Sequence, residues 1–432
     1  MDSLWRSSTG LPRFPHQEGP LSVDVLIIGG GMAGLLTAYY LKQDGVNCVL
    51  AEQGRILSGT TGNTTAKITA QHGLCYHKIR NFRGTEMTRL YWEANQNALE
   101  TYAKLCKTIP CNFTRKDNYV YSLHDFRLIE QELDALQDAH IPASFSAHLP
   151  LPLHTAGAVR FPQQAQFDPV KFAAGICKGL PILENTCVRE FTGTAVRTNR
   201  GMIRAKKIVV ATHFPFWNKH GSYFLKLYQH RSYVLGLENV PNLDGMYVDE
   251  NSKGLSFRRE GNYLLLGGGG HRTGKQGGGW EELRRFAEVH YPDSPERFHW
   301  AAQDCMSLDN IPYVGPYSAR TPNLFVATGF NKWGMTGSMA AALLLRDLVQ
   351  ERENPYAVLY SPSRSILRPQ LFLNSAESAL NLLTPTVPRC PHLGCALKWN
   401  KAEHTWDCPC HGSRFEEEGT LLEGPATGDL EP

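Results

Sequence analysis

Residues 23–34 read Val-Asp-Val-Leu-Ile-Ile-Gly-Gly-Gly-Met-Ala-Gly, and this stretch decides the fold. Its first half is an apolar, β-branched run of the kind found in buried parallel strands. Apolar residues then recur at helical spacing as far as Leu41, and residues 47–51 form a second apolar run that ends at Glu52. The sequence therefore predicts a strand, a glycine-rich turn, a helix and a second strand closed by an acid.

This order of elements is the fingerprint of a dinucleotide-binding βαβ unit. We expect Gly29 to make the tight turn, Gly31 to let the backbone reach a pyrophosphate, and Gly34 to let the helix pack closely on the strand. The pyrophosphate would lie at the helix N-terminus, whose free N–H groups favour an anion. Glu52 would accept hydrogen bonds from a ribose diol. The fingerprint alone does not separate FAD from NAD.

The residues after the acid favour FAD. Residues 54–67 form a small loop rich in hydroxyl groups, which can donate many hydrogen bonds to a long cofactor. Residues 23–72 resemble the D-amino-acid-oxidase superfamily of FAD enzymes, which includes glycine and sarcosine oxidases. A threonine in such a loop can equally satisfy its own backbone. The resemblance implies two groups of contacts: Thr60, Thr61 and Thr65 with FAD, and Ala66, Lys67 and His72 near the flavin ring.

The same resemblance extends over a body of residues 22–350. It implies FAD-binding segments at about 22–80, 160–220 and 305–350, and substrate-domain segments at about 81–159 and 221–304. Residues 85–140 look helical, whereas residues 228–270 alternate with a period of two and predict antiparallel strands. Further FAD contacts implied by the resemblance are Val188, on the adenine side, and four residues around a late helix start: Gly329, Gly334, Met335 and Thr336.

Several charged or unusual residues of the body have two interpretations. His213 stands where the resembling flavoprotein strand, which ends in Ala-Thr-Gly, has its glycine. Arg231, His271 and Arg272 are candidate anchors for a substrate carboxylate, since arginine offers a bidentate fork; the alternative is a solvent-facing loop with solvated charges. Lys332 either touches the flavin or faces water.

A second informative stretch lies near the C-terminus, where two short segments each combine Cys and His. The first is Cys390-x-His392 and the second is Cys408-x-x-His411. Two thiolates and two imidazoles on two loops can bind zinc or an iron–sulfur cluster. Zinc fingers usually separate the two cysteines from the two histidines, whereas each segment here is mixed.

The mixed segments resemble the ligand loops of the Rieske family, in which two cysteines bind one iron and two histidines the other. The resemblance implies a [2Fe-2S] cluster held by Cys390, His392, Cys408 and His411. Replacing two thiolates by neutral imidazoles removes negative charge, which raises the cluster potential from roughly −400 mV to about −150 to +300 mV. Such a cluster accepts electrons readily from a reduced flavin.

Other residues of the two loops also match respiratory-chain Rieske proteins. The resemblance implies a disulfide between Cys395 and Cys410 that clamps the loops, and a hydrogen bond from Ser413 to a cluster sulfide. Gly394 and Gly412 would let the backbone approach the sulfides. The residues just before Cys390 predict no strands, so residues 386–432 are expected to form a minimal Rieske module. We expect the cluster and docking on the body to stabilise this module.

Composition bounds the rest. The chain has 432 residues, 42% hydrophobic and 20% charged, and its net charge of +3 is too small to indicate a nucleic-acid partner or an anionic membrane. No apolar run reaches the length of a membrane span or of a signal peptide, which predicts no transmembrane segment and a cytoplasmic location. The cysteines outside the tail lack paired spacing, as suits a reducing compartment. Residues 1–21 are expected to form an irregular arm and residues 351–385 a linker.

Taken together, the sequence predicts an α/β chain with three parts. These are a Rossmann-type FAD-binding domain, an inserted α+β substrate domain with an antiparallel sheet, and a small all-β Rieske module. The expected function is an FAD-dependent dehydrogenase. It would oxidise a small amine or amino acid by hydride transfer and pass electrons through the cluster to an external acceptor, a protein or a quinone-like molecule. Hydride transfer needs little more than alignment over the flavin, and no catalytic residue is identified.

Two alternatives stay open. One is a redox-sensing or electron-transfer protein with no dedicated small-molecule substrate. The other is a Rieske oxygenase, which needs a further iron on two histidines and a carboxylate; no such set stands out in the sequence.

Overall fold

The computed structural model describes residues 3–193, 195–385 and 388–430, and the strands of these residues form three sheets. The first sheet contains eight strands, six of them in one path. In spatial order the path runs Tyr313–Pro316, Leu324–Thr328, Gly201–Val210, Leu21–Ile28, Cys48–Ala51 and Ile182–Leu183. Two further strands, Ala195–Thr198 and Val188–Thr192, extend antiparallel from Gly201–Val210.

The centre of the first sheet follows from its sequence. The strand Leu21–Ile28 lies parallel to both neighbours, with Ile27 opposite Val209 on one side and Leu50 on the other. Leu26 and Ile27 are fully buried, as expected for a β-branched run covered on both faces. The helix Met32–Gln43 follows the glycine turn. The predicted Rossmann-type unit is confirmed.

The second sheet has nine strands and is mostly antiparallel. In order it runs Glu296–Ser307, Leu227–Glu238, Tyr263–Arg272, Ser256–Glu260, Met246–Asp249, Thr114–Ser122, Gly157–Gln166 and Lys67–Ile68, with Ser144–Ser146 beside Gly157–Gln166. The prediction that residues 85–140 are helical is wrong in part, because Thr114–Ser122 is a strand of this sheet. Its first residues are polar and half-buried, which hides the period of two.

Helices cover the sheets and form much of the remaining chain. They are Leu4–Ser8, Met32–Gln43, Tyr76–Leu105, Phe126–Asp138, Pro169–Ile176, Tyr223–Lys226, Gly279–His290, Gly334–Val349, Ala357–Tyr360 and Pro369–Leu383, with a 3-10 turn at Thr60–Asn63. The segment 1–21, expected to be irregular, contains the helix Leu4–Ser8, whose Trp5 is buried and donates to the Thr64 carbonyl at 2.7 Å. The expected linker is also largely helical. No helix in the described ranges is long and apolar enough to cross a bilayer.

The tail, residues 388–430, contains the third sheet of four short antiparallel strands. These are Lys398–Asn400, Thr405–Asp407, Arg414–Phe415 and Leu421–Glu423. No strand was expected in the tail before its first Cys-His loop. This holds for the described residues between the helix Pro369–Leu383 and Cys390, where Arg389 makes only an isolated bridge with Ala396. Thr386 and Val387 lie outside the described residues. A small core around Leu397 and Phe415 fills the tail, which packs on the edge of the second sheet formed by Leu227–Glu238, Tyr263–Arg272 and Glu296–Ser307.

Candidate functional site

The glycine turn is shaped by two different constraints. A Cβ at Gly29, whose φ is +112°, would lie 2.4 Å from the Ala211 carbonyl oxygen, and a Cβ at Gly34 would lie 1.9 Å from the Gly29 carbonyl oxygen. Both glycines are therefore required by protein packing. At Gly31, by contrast, a Cβ would meet only Thr61 Oγ1, at 3.5 Å. Protein packing does not require a glycine at this position, which fits a backbone that must leave room for a bound group.

The turn opens into a cavity of about 470 Å³. Its wall includes eight of the residues predicted to contact FAD: Gly29, Gly31, Glu52, Thr60, Thr61, Val188, Gly334 and Met335. They come from separate parts of the first sheet and its loops, and the fold brings them together at the helix N-terminus that follows Gly31. A cavity of this size, lined by the glycine turn, the hydroxyl groups of the threonine loop and apolar side chains, fits a dinucleotide.

Glu52 is held in place by backbone donors. Its Oε2 accepts a hydrogen bond from the Gly30 N–H at 2.7 Å, and its Oε1 accepts one from the Gly54 N–H at 2.9 Å. Burial raises the pKa of this carboxyl group despite those bonds. Each carboxylate oxygen can accept a further hydrogen bond, so the group remains able to bind a ribose diol.

The three loop threonines differ in position. Thr60 Oγ1 donates to the Gln303 carbonyl at 2.7 Å, and Thr61 Oγ1 accepts from the Met32 N–H at 3.1 Å. Both hydroxyl groups therefore already form hydrogen bonds with the protein backbone, although both residues line the cavity. Thr65 lies outside the wall and accepts a hydrogen bond from Lys67 at 3.3 Å. Direct FAD contacts by these residues stay a prediction.

Other candidates are also not part of the cavity wall: Gly34, Gly329, Thr336, Ala66, Lys67 and His72. His72 stacks on Trp333 with ring centroids 5.2 Å apart, and its Nε2 lies 2.9 Å from Thr336 Oγ1. Burial lowers the pKa of His72 to about 3, so the ring is neutral. Burial likewise lowers the pKa of Lys67 to about 7. Direct contacts of these residues with FAD stay a prediction.

Three charged or polar residues face the cavity near the edge of the second sheet. His213 has a φ of +66°, the conformation that suits the glycine it replaces, and its Nε2 lies 2.9 Å from Gln229 Oε1. Lys332 lines the wall, and burial lowers its pKa. Burial raises the pKa of Asp304, which accepts from the Ser232 hydroxyl at 3.2 Å.

The two Cys-His loops of the tail have the same backbone pattern. In the first, the Cys390 N–H donates to the Cys395 carbonyl and the Gly394 N–H donates back to Cys390, both at 2.9 Å. In the second, Cys408 donates to Ser413 at 2.8 Å and Gly412 donates back to Cys408 at 2.9 Å. Gly394 and Gly412 adopt φ values of +76° and +84°. The fold therefore presents the loops as a matched pair.

The two loop histidines are neutral and close together. Their ring centroids lie 4.9 Å apart, and burial lowers the pKa of His392 to about 4 and that of His411 to about 3. His392 Nδ1 and both ring nitrogens of His411 are buried without a hydrogen-bond partner among the described residues. Buried polar atoms are seldom left unpaired, so these nitrogens fit a cluster that binds between the loops.

His392 has a hydrogen-bond partner in the body. Its Nε2 lies 2.7 Å from Asn218 Nδ2, while Asn218 Oδ1 is buried without a hydrogen-bond partner among the described residues. Exchanging the amide oxygen and nitrogen lets Oδ1 accept from Nε2–H, which leaves Nδ1 free to bind iron. Partners of this kind orient metal-ligating histidines.

The loop cysteines divide into two pairs. Cys395 and Cys410 form a disulfide, as the Rieske resemblance implied. Hydrogen bonding from Cys408, and then from Ser413, lowers the pKa of the buried Cys390 thiol to about 7. The sulfurs of Cys395, Cys408 and Cys410 lie within 4.8 Å of one another, but two of them are used by the disulfide. The donor set that remains is two thiols and two imidazoles.

Phe214 lies between the cavity and the loops. It lines the cavity, and its ring centroid is 5.9 Å from that of His411 and 6.3 Å from that of His392. The tail also supplies part of the cavity wall through Arg414 and residues 422–427. The cavity and the two Cys-His loops therefore share a boundary, and the side chain of Phe214 is part of it.

A buried ion cluster joins the tail to the second sheet. Arg231 Nε donates to Glu403 at 3.0 Å, Arg414 donates to the same carboxylate at 2.8 Å, and Tyr233 donates to it at 3.1 Å. Burial alone would raise the pKa of Glu403, but Arg231 and Arg414 lower it to about 2. Arg272 donates to the Pro409 carbonyl at 3.3 Å. Of the candidate carboxylate anchors, both arginines thus contact the tail.

The sequence interpretation missed several wall and interface residues. Phe214 and Asn218 lie in the loop that follows the strand Gly201–Val210, and the aromatic run Phe214-Pro215-Phe216-Trp217 was the available signal. Residues 422–427 include Gly424-Pro425, a turn-forming pair that could have indicated close approach to another surface. No pattern in the sequence indicated that Glu403 would pair with Arg231.

Comparisons with known proteins agree with this organisation. A family model described as FAD dependent oxidoreductase matches residues 24–348, and one described as Rieske [2Fe-2S] domain matches residues 381–432. The chain is 34% identical to the Rieske 2Fe-2S iron-sulfur protein YhfW of Bacillus subtilis (strain 168), over 99% of this chain and 97% of that one. A cytochrome b6-f complex iron-sulfur subunit of Nostoc punctiforme is 54% identical over 9% of this chain and 21% of its own.

Solved structures with the same fold cover the body. Glycine oxidase from Geobacillus kaustophilus matches with a TM-score of 0.66 and 20% identity, over 80% of this chain and 100% of that one. L-proline dehydrogenase from P. horikoshii matches with a TM-score of 0.66 and 17% identity, over 80% and 98%. At these identities the likeness concerns the fold.

Proposed function

The chain belongs to the FAD-dependent oxidoreductase family and ends in a Rieske [2Fe-2S] domain, and from this premise we propose that it is a dehydrogenase of small amines or amino acids. Electrons would leave through the cluster to an external acceptor, either a protein or a quinone-like molecule. The proposal includes a cytoplasmic location. When bound, FAD takes a hydride from the carbon beside the substrate nitrogen, and the cluster carries single electrons.

The observation that carries the proposal is the shared boundary between the two sites. Phe214 lines the cavity and lies within about 6 Å, centroid to centroid, of both loop histidines. The tail closes the cavity with Arg414 and residues 422–427. This arrangement holds the two histidines beside the cavity wall, which supports electron transfer between centres bound in the two sites.

The residues of the cavity also suit a small polar substrate. Asp304 and Lys332 face the same space, and each reduces the effect of burial on the charge of the other. Such a pair can orient an amino or carboxyl group without carrying the chemistry, since alignment over the flavin is enough for hydride transfer.

The test is an anaerobic panel of amines and amino acids with the purified holoprotein. We expect at least one compound to bleach the flavin absorbance and to produce, in the same sample, the electron paramagnetic resonance signal of a reduced Rieske cluster. If no compound reduces either centre, the dehydrogenase proposal fails.

A redox-sensing or electron-transfer function is the second candidate. It is favoured by Arg231 and Arg272, because both guanidinium groups contact the tail, Arg231 through the Glu403 carboxylate and Arg272 through the Pro409 carbonyl. In this case no member of the panel reduces the protein, but a chemical reductant such as dithionite reduces both centres.

A further inference from the structure

The helix Pro369–Leu383 has an inverted polarity. Its buried residues are Asn374 and Asn381, whereas Phe372 is 69% exposed and Leu383 is 83% exposed. Leu373, Leu380 and Leu382 are exposed as well. The only charged residue in the helix is Glu377, which is half-buried and paired with Lys275 at 2.7 Å. The solvent-facing side of this helix is therefore apolar and carries no charge.

The inversion is fixed by hydrogen bonds on the inner side. Asn374 Oδ1 accepts from Arg272 Nη1 at 2.9 Å, and the Asn381 carbonyl accepts from the Ala396 N–H at 3.0 Å. These bonds join the helix to both the second sheet and the tail. Rotating the helix to bury its leucines would break them, so the apolar side is presented to the outside by the fold itself.

The exposed apolar residues form one surface that reaches the cluster loop. Leu382 Cδ2 lies 4.0 Å from the position of a Cβ on Gly394, in the loop that also exposes Leu393 next to His392. At the other end, the Arg368 guanidinium lies 5.1 Å from the ring centroid of exposed Phe82. We call this the apolar surface and define it as Phe82, Leu367, Phe372, Leu373, Leu380, Leu382, Leu383 and Leu393.

Cations stand at both ends of the apolar surface. Arg368 precedes the helix and stacks on Phe82. Arg389 follows it and donates to the carbonyl oxygens of Leu382, Thr384 and Gly394. Within the described ranges, neither guanidinium forms an ion pair with a carboxylate. Large exposed apolar surfaces mark interaction sites, and an uncharged apolar helix face edged by arginines is complementary to an anionic phospholipid surface.

We propose that the chain docks peripherally on an anionic phospholipid bilayer through the apolar surface. The helix Pro369–Leu383 would lie in the plane of the interface with its leucines and phenylalanine among the upper acyl chains. Because Leu393 belongs to the same surface, the Cys390–Cys395 loop would face the lipid. Docking on a bilayer deepens the proposed function, because it makes the external acceptor a lipid-soluble, quinone-type molecule. The identity of the acceptor rests on the proposed function, whereas the docking does not.

Vesicle flotation of the full holoprotein tests the docking without any substrate. Vesicles of phosphatidylcholine alone are compared with vesicles that also contain phosphatidylglycerol. We expect the protein to float with the anionic vesicles and more weakly with the neutral ones. The double variant Phe372→Ser/Leu380→Ser should bind the anionic vesicles at least about tenfold more weakly. The matched control is Val289→Ser, which removes an equally exposed apolar side chain from the helix Gly279–His290 and should bind as the wild type does.

Three results would overturn the proposal. The first is no flotation with anionic vesicles. The second is flotation that the double variant does not weaken or that is equal with neutral vesicles. The third is concentration-dependent self-association, abolished by the double variant, in a protein that binds no vesicles, since the surface would then bind a second copy of the chain. Vesicle binding is measured without turnover, so its failure is distinct from a failure of the amine panel.

Discussion

Gly31 and Gly34 lie in one turn, yet a methyl group at each would meet different surroundings. At Gly31 it would project into the cavity, with Thr61 Oγ1 at 3.5 Å as its only neighbour, whereas at Gly34 it would lie 1.9 Å from a backbone oxygen. We expect Gly31→Ala to fold with normal stability and to lose FAD. We expect Gly34→Ala to be destabilised by about 3 kcal/mol or to fail to fold, because backbone cannot yield as a side chain can.

The pair of variants is compared by flavin-to-protein ratio and by thermal unfolding of the FAD-free protein. Each variant is the control for the other, since both replace one hydrogen by one methyl group. A Gly31→Ala protein that retains full FAD content would show that no bound group occupies the space above this turn.

At the residue scale, the sequence could predict groups whose roles are local. The glycine turn and Glu52 are recognisable because a fixed spacing in the chain sets their geometry, and the two Cys-His segments of the tail are recognisable for the same reason. Phe214 and Asn218 could not be assigned, because their roles depend on where the tail docks. His213 was visible as a departure, and its positive φ explains how it replaces a glycine.

Among the elements, the tail sheet depends on the buried carboxylate of Glu403. It is shared by Arg231 from the second sheet and Arg414 from the tail. Glu403→Gln removes the carboxylate that both buried guanidinium groups contact most closely, while Glu423 remains 3.5 Å from Arg231 and 3.7 Å from Arg414, and Asp407 remains 3.0 Å from Arg414. The variant should weaken tail docking by about 2 kcal/mol. Limited proteolysis of the tail and hydrogen exchange over residues 396–430 measure the change.

The matched control for this variant is Glu417→Gln, an exposed glutamate of the same tail. It should leave both measurements unchanged, since surface charges contribute little. Equal protection of the tail in the Glu403→Gln variant and the wild type would contradict the assigned role of the ion cluster.

The lowered pKa of Glu403 predicts that its contribution to the stability of the folded chain depends on pH. The pKa of Glu403 falls from an ordinary value of 4.5 to about 2 in the folded chain, so its contribution to stability is complete above about pH 4.5. The contribution is lost as the pH falls from there through about 2, because the carboxylate must then be protonated in both states. We expect the urea-midpoint difference between wild type and Glu403→Gln to narrow across this range. A difference that stays constant would assign the stabilisation to another group.

Elements were predictable where burial pattern and period coincide. The strands Leu21–Ile28 and Cys48–Ala51 end in apolar runs, which are recognisable in the sequence. Thr114–Ser122 instead begins with Thr-Arg-Lys-Asp-Asn and lies within the region predicted to be helical. The helix Pro369–Leu383 lies in the region expected to be a linker, because its apolar residues face outward and give no core stripe. Residues 1–21 lack periodicity, and their helix is fixed by Trp5, which contacts a distant loop.

For the whole molecule, the sequence predicted the modules but not their arrangement. The FAD-binding unit, the antiparallel sheet and the Rieske tail were each recognisable from residues close together in the chain. The docking of the tail arises from contacts between distant residues, such as Gln303 Nε2 with the Gly412 carbonyl at 2.8 Å and Arg189 with the Thr427 carbonyl at 2.8 Å. Such pairs leave no periodic signal in the sequence.

These contacts predict that the tail stays docked when the redox state changes. Undocking the tail would break the contacts of Arg231 with Glu403, Gln303 with Gly412 and Arg272 with Pro409. Such hydrogen bonds contribute about 0.5–1.5 kcal/mol each, and about 1.5–3 kcal/mol where one partner is charged. Since 1.4 kcal/mol is a factor of ten, these three bonds together would leave the tail undocked about 1% of the time or less. The contact of Asn218 with His392 adds to the cost.

We therefore expect hydrogen exchange over residues 396–430 to be the same in the oxidised and the dithionite-reduced holoprotein. The Glu403→Gln variant is the positive control, because its more weakly docked tail should exchange faster in the same experiment. Faster exchange over Ser413–Thr427 on reduction of the wild type would contradict fixed docking and indicate a tail that moves to deliver its electron.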